Sequence, residues 1–311
     1  MKLVRAGAWS DPQRVDYRPV LEAGDVVFFS TTPFGFSEES KEFLRNLSFS
    51  GGAVHKNVAY RPVEDRVSGI DGRDGQAERV RAIMRDYSRA VTRFTSELLP
   101  DYARKWKLDY ASFRPLEEEG RDLPLNKRND LIHTDAFPSR PTYGDLILRV
   151  FTNISPSKTR VWVTSDPFRQ IAERYAREAG LDRIADGASS VGGRLLHGST
   201  RIISAMGLPA VPRSAYDRFM LRFHDYLKHN ADFQANCTKY RIEFPPGSTW
   251  LTFTDVLPHS VQSGQHALEQ TFIVARASMA NPENAPVSIL ERICGRPLVD
   301  IAKASRGQSA R

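Results

Sequence analysis

The residues His133-Thr-Asp135 combine two side-chain types that bind transition metals. If they lie on a strand, positions i and i+2 point to the same side, so the imidazole and the carboxylate can share one ion. Two histidines and one carboxylate on one face of a metal leave positions open, as in the non-haem iron(II) oxygenases. With 7 histidines and 37 acidic residues in the chain, about one His-x-acid pair is expected by chance, so the pair needs further support.

A third ligand is predicted at His259. It follows the turn Pro245-Pro-Gly-Ser248 and the apolar segment Thr249–Thr254, so it is expected at the end of a strand. We therefore predict that His133, Asp135 and His259 are both the metal ligands and the catalytic residues. The other histidines lack a partner at this spacing and are interpreted as solvated or packing residues, with His266 expected to come closest to the site: His55, His197, His224, His229 and His266.

The elements that must position these residues are mainly strands. Apolar residues at three- and four-residue steps from Val80 to Leu98 predict a helix that ends at Pro100, and further helices are predicted over 166–184 and 214–229. Strands are predicted at Asp25–Phe29, at Leu146–Ile154 with Arg160–Thr164 as its partner, and at Tyr240–Phe244, Thr249–Thr254 and Gln265–Arg276. Strands on both sides of a helical insertion can close into one double-stranded β-helix, or jelly roll.

Several segments around the predicted ligands resemble a known family. They are Asp135-Ala-Phe-Pro-Ser-Arg-Pro-Thr142, Leu148-Arg-Val-Phe151, Asn153, Ser263-Gly264 and Leu268-Glu-Gln-Thr-Phe272. Together they are similar to the Kdo (3-deoxy-D-manno-oct-2-ulosonic acid) hydroxylase family of the Fe(II)/2-oxoglutarate-dependent dioxygenases. The resemblance covers about residues 130–275. It implies Fe(II), 2-oxoglutarate and O₂ as cofactor and co-substrates, and hydroxylation at carbon 3 of the Kdo sugar of Kdo-lipid A in lipopolysaccharide.

The expected fold class is α+β or mainly β, with a cupin-like jelly-roll core, N-terminal helices and a helical insertion. A length of 311 residues suits one such core with additions. We predict a single catalytic domain over 1–303, with a helical part over about 1–125, the jelly roll over about 126–280 and the insertion over about 165–235. Residues 304–311 are expected to be a disordered tail.

The sequence departs from the superfamily pattern at one position. Many of these enzymes carry an arginine for 2-oxoglutarate nine or ten residues after the distal histidine, where this chain has Leu268 and Glu269. A guanidinium in the apolar strand around Arg149 is costly unless it meets an anion, and arginine pairs with carboxylates in a two-pronged geometry.

We therefore predict that Arg149 binds 2-oxoglutarate, with Gln270 and Asn153 as further contacts and Arg140 or Arg276 as substitutes. Asn153 shares a strand face with Arg149 by alternation. The alternative is that Arg149 pairs with a buried acid such as Glu269 for structural reasons.

The chain carries 44 basic and 37 acidic residues, a formal charge of +7. This excess suits an anionic membrane surface, an anionic substrate or solubility alone. Without a lysine-rich block or an aromatic-basic repeat, no nucleic-acid partner is expected. Kdo-lipid A would favour a basic rim, so we expect a peripheral enzyme on the cytoplasmic side of the inner membrane.

No apolar run approaches the ~18–20 residues of a membrane span, and no apolar segment follows the N-terminus as in a signal peptide. Cys237 and Cys294 are too few for a disulfide framework, which indicates a reducing compartment.

Other functions remain open at this point. The same ligands and fold could act on a protein side chain or a small metabolite. A non-enzymatic jelly-roll sugar-binding module would need no iron, and it leaves the three predicted ligands unexplained. A zinc hydrolase is disfavoured because no glutamate base accompanies the histidines in a helical motif.

Overall fold

The computed structural model describes residues 2–6, 15–47, 57–70, 75–189 and 212–300. His55, His197 and the expected disordered tail lie outside the described residues. The described residues form eleven strands and nine α-helices. None of these helices combines the length and the apolar character that a bilayer span requires.

The strands form two sheets. The larger sheet has the order β1-β2-β9-β6-β11-β5-β3-β4, and all its neighbouring pairs are antiparallel except the parallel pair of β1 and β2. Its strands are β1 Leu3–Arg5, β2 Val26–Phe29, β3 Val58–Arg61, β4 Arg66–Ser68, β5 Trp106–Arg114, β6 Leu146–Asn153, β9 Thr249–Phe253 and β11 Ala267–Val274. The smaller sheet has the order β10-β7-β8, with β7 Arg160–Thr164, β8 Tyr240–Phe244 and β10 His259–Ser263.

The helices surround the strand core. Four lie in the N-terminal part, four follow β7, and one follows β11. They are α1 Arg18–Glu22, α2 Glu38–Arg45, α3 Gln76–Leu98, α4 Pro100–Ala103, α5 Phe168–Tyr175, α6 Leu181–Ser189, α7 Ala215–His229, α8 Ala231–Asn236 and α9 Pro286–Cys294. In α7 the side chains of Ser214 and Asp217 form a reciprocal capping box that fixes where the helix begins.

The two faces of the large sheet have different neighbours. On one face the apolar stripe of α3 packs in the main hydrophobic core, where Phe94 meets Phe29 edge to face at 5.3 Å. The other face meets the small sheet across an aromatic cluster that includes Phe151, Trp162 and Trp250. Because β6 lies between these two cores, every one of its residues is buried. This is the two-sheet arrangement expected of a jelly roll.

Three expectations need correction. The segment Arg160–Thr164 does not pair with β6, because β6 already lies between β9 and β11 and the chain crosses to the other sheet. The helix predicted over 166–184 is two helices, separated around Gly180 with a φ of +94°. The N-terminal part is not purely helical, since it supplies five strands, and β5 pairs directly with β11.

Candidate metal centre

The three predicted ligands come together at one end of β10. An isolated antiparallel bridge joins His133 to His259, with backbone N–H to O distances of 3.0 and 2.9 Å. The backbone N–H of Asp135 donates to the Thr254 carbonyl at 2.9 Å. These bonds hold the segment around residue 133 against β10 although it is not a regular strand. One ligand atom from each of His133, Asp135 and His259 lies within 4.8 Å of the others.

Both histidines are held in the tautomer that a metal requires. Nδ1 of His133 donates to the Leu131 carbonyl at 2.7 Å, and Nδ1 of His259 donates to the Leu257 carbonyl at 2.9 Å. The lone pair of each ring is therefore on Nε2, as in metal-ligating histidines with a fixed outer partner. Burial lowers the pKa of both imidazoles, and for His133 the neighbouring His259, His224 and Lys228 lower it further. Both rings are neutral at physiological pH.

The carboxylate of Asp135 is ionised despite its burial. Burial alone would raise its pKa, but the positive charge of Arg149 holds the pKa well below the usual range. Oδ1 lies 3.8 Å from Nε2 of His133, and Oδ2 lies 3.2 Å from Nη1 of Arg149. Two neutral imidazoles and one ionised carboxylate with facing donor atoms fit a divalent transition metal with open positions.

Arg149 lies on β6 between two acids. It is 9% exposed, and its Nη1 lies 3.2 Å from Oδ2 of Asp135 and 3.6 Å from Oε2 of Glu269. Its Nε has no hydrogen-bond partner in the described residues. The structure therefore places Arg149 beside Asp135 of the predicted ligand group. It also places Arg149 beside Glu269, the acid that a purely structural role would require.

A row of buried charges extends from Arg149 into the space between the sheets. Arg114 donates to Oε2 of Glu269 from Nε at 2.9 Å and from Nη2 at 2.7 Å. Beyond it, Glu118 lies 3.9 Å from Arg114 and 3.5 Å from Arg160. The sequence interpretation missed Arg114 and Arg160. Arg114 ends β5, a strand that was not predicted, and the partners of β7 were assigned wrongly, so neither side chain could be assigned to a face.

Gln270 is not brought to this site. Its side chain is fully buried on the opposite face of β11 from Glu269, at a bulge in the pairing with β5. A bulge leaves backbone groups without ladder partners. Nε2 of Gln270 supplies a donor there, at 2.8 Å from the Asp109 carbonyl and 3.4 Å from the Tyr110 carbonyl.

The amide of Asn153 is occupied by backbone contacts. Nδ2 donates to the carbonyls of Lys158 and Phe244, both at 2.9 Å, and Oδ1 accepts from the Ser155 N–H. It thus ties the end of β6 to β8. Arg140 pairs with Asp109, and its guanidinium lies 4.2 Å from the ring centroid of Phe137.

Arg276 lies 3.8 Å from Glu291 and is partly exposed. In the described part of the chain, Asn153, Arg140 and Arg276 make no hydrogen bond or ion pair with His133, Asp135 or His259.

His224, not His266, is the further histidine beside the triad, so the expectation for His266 was wrong. The His224 ring lies edge to face against His133 at 4.8 Å, and its Nδ1 donates to the Thr134 carbonyl at 2.9 Å. His266 instead stacks on Phe113 at 6.3 Å. The sequence predicted helix α7, but it could not show which face of α7 contacts residues 133 and 134, because that depends on tertiary packing. The indole of Trp162 stacks on the His259 ring, with 4.8 Å between the ring centroids, and fixes the plane of that imidazole.

Comparisons with known proteins agree with this geometry. A sequence model of the 3-deoxy-D-manno-oct-2-ulosonic acid (Kdo) hydroxylase family matches residues 8–297. The search of curated proteins gives no significant match. The chain is similar to a crystal structure of the Kdo hydroxylase KdoO, a non-heme Fe(II) α-ketoglutarate-dependent dioxygenase, in complex with α-ketoglutarate and Fe(III). The identity is 30%, the TM-score is 0.81, and the match covers 96% of this chain and 98% of that one.

It is also similar to the cobalt(II) complex of KdoO, with 31% identity, a TM-score of 0.83 and the same coverage. The succinate and Fe(III) complex matches at 30% identity with a TM-score of 0.81, again with the same coverage. These similarities confirm the expected mixed α+β fold with a jelly-roll core. They also confirm the family that the sequence motifs indicated, and the chain belongs to the Kdo hydroxylase family.

Proposed function

We propose that this enzyme, a non-haem Fe(II)/2-oxoglutarate-dependent dioxygenase of the Kdo hydroxylase family, hydroxylates the Kdo sugar of Kdo-lipid A at carbon 3. The observation that carries the proposal is the group of His133, Asp135 and His259, whose donor atoms face one another within 4.8 Å inside the family's fold. We also propose that residues 1–303 act as a single catalytic domain.

The three side chains would hold Fe(II), His133 and His259 through Nε2 and Asp135 through a carboxylate oxygen. Bound Fe(II) supplies the activation of O₂ that couples decarboxylation of 2-oxoglutarate to succinate with hydroxylation of the substrate. The protein orients these three side chains before the ion binds. The carbonyls of Leu131 and Leu257 fix both imidazole planes, and Arg149 contacts the second oxygen of Asp135.

Arg149 is our candidate for a 2-oxoglutarate carboxylate. Glu269 accepts two hydrogen bonds from Arg114, so its 3.6 Å contact with Arg149 is the weaker of its ion pairs. Arg149 therefore keeps N–H groups for a further anion, and its Nε has no acceptor in the described residues. Because 2-oxoglutarate brings two negative charges and Fe(II) two positive ones, their joint binding leaves the net charge of this buried region unchanged, which limits the desolvation cost.

Arg149 is favoured over Gln270 and Asn153, whose amides already bind backbone groups. Arg114 and Arg160 are the nearest further cations of the buried row, and each already has an acid partner.

We further propose that the enzyme works as a peripheral protein on the cytoplasmic face of the inner membrane, without a nucleic-acid partner. The +7 charge supports this proposal, as do exposed arginines on the helices that follow β7 and in the turn between α5 and α6: Arg174, Arg177, Arg183 and Arg222. Basic residues near an anionic bilayer contribute about 1 kcal/mol each to membrane binding.

Sedimentation with anionic and neutral vesicles tests the proposed membrane association. We expect binding to the anionic vesicles alone, weakened by salt, and equal binding to both contradicts the proposal.

The first test of the catalytic site is an anaerobic titration with Fe(II) and 2-oxoglutarate, followed by the weak visible charge-transfer band of the complex. Wild type should develop the band and His133→Ala should not. The matched control is His229→Ala, which removes an exposed histidine from α7 and should keep the band. A folded wild type without the band contradicts the proposed metal and co-substrate site and favours a sugar-binding module.

The substrate is tested separately by adding O₂ and Kdo-lipid A and measuring the gain of one oxygen atom on the Kdo sugar by mass spectrometry. Succinate formation with no oxygen gained on Kdo, but with an oxygen gained on a protein or small metabolite, contradicts the Kdo assignment and leaves the dioxygenase assignment intact.

A further inference from the structure

Lys228 is a nearly buried ammonium group close to the triad that the proposed chemistry does not use. The residue is only 4% exposed. Its Nζ donates to the Asn126 carbonyl at 3.2 Å, and no carboxylate in the described residues lies within ion-pair distance of it. A buried charge without a partner is costly, so such a lysine calls for an explanation.

The position of Lys228 connects it to the metal centre. It lies one helical turn after His224 on α7, and residues four apart share a helix face. His224 contacts His133 at 4.8 Å between ring centroids. Lys228 and Asp135 are close enough to affect each other electrostatically, and so are Lys228 and His133. Burial lowers the pKa of Lys228, while the negative charges of Asp135, Asp225 and Asp130 oppose that effect.

His224 complements Lys228 chemically. Because its Nδ1 donates to the Thr134 carbonyl, the neutral ring has an acceptor lone pair at Nε2, for which no hydrogen bond is recorded in the described residues. The helix face thus offers one cation with spare N–H groups and one neutral acceptor, four residues apart. A sugar acid carries the matching groups, a carboxylate and hydroxyls.

We propose that Lys228 binds the carboxylate of the sugar-acid substrate and that Nε2 of His224 accepts a hydrogen bond from one of its hydroxyl groups. This inference rests on the proposed function, since it assigns the side chains that recognise the Kdo unit. An ammonium pairs with a carboxylate as a compact charge, and a site that leaves the ammonium without that anion discriminates against uncharged analogues. The same contacts would position the sugar beside the metal and reject neutral sugars.

A purely structural role for Lys228 predicts something different. Its contact with the Asn126 carbonyl anchors the 3₁₀ turn Leu125–Lys127, a task that needs a donor but no charge. If this contact were the whole role, removal of the ammonium would weaken binding of charged and neutral ligands equally. A pair of ligands that differ only in the carboxylate separates the two roles.

The experiment uses the anaerobic enzyme with Fe(II) and 2-oxoglutarate and measures binding of the methyl glycoside of Kdo and of its carboxamide. Wild type should bind the acid roughly 10- to 100-fold more tightly than the amide, as expected for one charged hydrogen-bonded contact. In Lys228→Met this preference should disappear while the visible Fe(II)/2-oxoglutarate band is unchanged. His224→Phe should weaken acid and amide by the same factor, since a hydroxyl contact is common to both.

The matched control is Lys239→Met. Lys239 also donates from Nζ to a backbone carbonyl at 3.2 Å, that of Ala235, but it is exposed. It should keep the full acid preference. A folded Lys228→Met, or Lys228→Gln if the first variant does not fold, that keeps the acid preference overturns the inference alone. A wild type that forms the band but binds neither ligand overturns the Kdo assignment, and with it this inference.

Discussion

Arg149 and Lys228 are both buried near the triad, and in the described residues only Arg149 has acid partners. Arg149 on β6 has Asp135 at 3.2 Å and Glu269 at 3.6 Å, and Glu269 is held in turn by Arg114. Lys228 on α7 has one backbone carbonyl. Arg149 thus belongs to a network of paired charges, whereas Lys228 has no anion in the described part of the chain. The strands therefore hold the three predicted ligands together with a charge-paired Arg149, while α7 carries a buried ammonium group without an anion in the described residues.

The largest effects are expected at the triad. His133→Ala and Asp135→Ala should both abolish Fe(II) binding and hydroxylation, because two protein ligands cannot maintain the site. The two variants should differ in stability. Asp135→Ala also removes the principal partner of Arg149, and breaking such a buried pair costs about 3 kcal/mol even with Glu269 in place. Denaturant unfolding of the metal-free proteins measures this, and equal stability of the two variants would contradict the role of Asp135 as the counter-ion of Arg149.

The second effect concerns Arg149. Arg149→Met should raise the KM for 2-oxoglutarate roughly 100-fold, because it removes a charge-assisted contact, and Arg149→Lys should restore only part of it because the two-pronged geometry is lost. The readouts are the KM and the intensity of the Fe(II)/2-oxoglutarate band at limiting 2-oxoglutarate.

Gln270→Met is the control for Arg149. It should lower stability by about 1 kcal/mol through the unpaired carbonyls at the bulge and leave the KM for 2-oxoglutarate unchanged. If the KM rises in Gln270→Met and not in Arg149→Met, the assignment of the co-substrate contact must be exchanged.

The buried acid Asp255 tests the cost of an unpaired charge with a carboxylate instead of a cation. Asp255 is 1% exposed, its Oδ1 accepts from the Ile147 N–H at 3.1 Å, and its Oδ2 has no partner in the described residues. Burial raises its pKa to about 7. Between the unfolded value near 3.8 and about 7 the folded state binds the additional proton, so this group makes stability fall as pH rises through that window.

Asp255→Asn keeps an acceptor for the Ile147 N–H and removes this titration. At pH 8 the variant should therefore be more stable than wild type by about 1–3 kcal/mol, and near pH 4 the two should be similar. Denaturant unfolding of the metal-free protein at both pH values provides the measurement. The opposite trend, with the variant losing stability at pH 8, would mean that the Asp255 carboxylate is ionised and paired.

The sequence was informative where chemistry is local and less so where it depends on packing. The His-x-Asp pair, the turn before β9 and the apolar β6 predicted the ligand group and most of the core strands, because period-two alternation and turn residues are local signals. The strand β5 was missed although Trp106-Lys-Leu-Asp-Tyr110 alternates apolar and charged residues, and Arg114 at the end of that strand was missed with it. The limit of local signals applies to Gln270, which sits at a bulge that alternation does not reveal, and to His224, which reaches His133 only through packing of α7.

The smallest expected effect is a change in the free energy of unfolding when either of the two buried cations, Arg149 or Lys228, is replaced. Arg149→Met leaves Asp135 without its cation and should lower the free energy of unfolding of the metal-free protein. Lys228→Met removes an unpaired buried charge and replaces it with an apolar chain of similar length, so it should raise stability by about 1 kcal/mol, net of the lost bond to the Asn126 carbonyl. Parallel urea denaturation of the variants at pH 7 measures the sign of each change in the free energy of unfolding. Lys239→Met should leave this free energy nearly unchanged because its side chain is exposed. Opposite signs for the two buried cations mean that Arg149 is stabilised by its acid partners in the free protein, whereas Lys228 carries a charge that the described residues leave without an anion. If Lys228→Met destabilises the protein as Arg149→Met does, Lys228 is one more structural contact, and the sugar carboxylate must be bound by another residue.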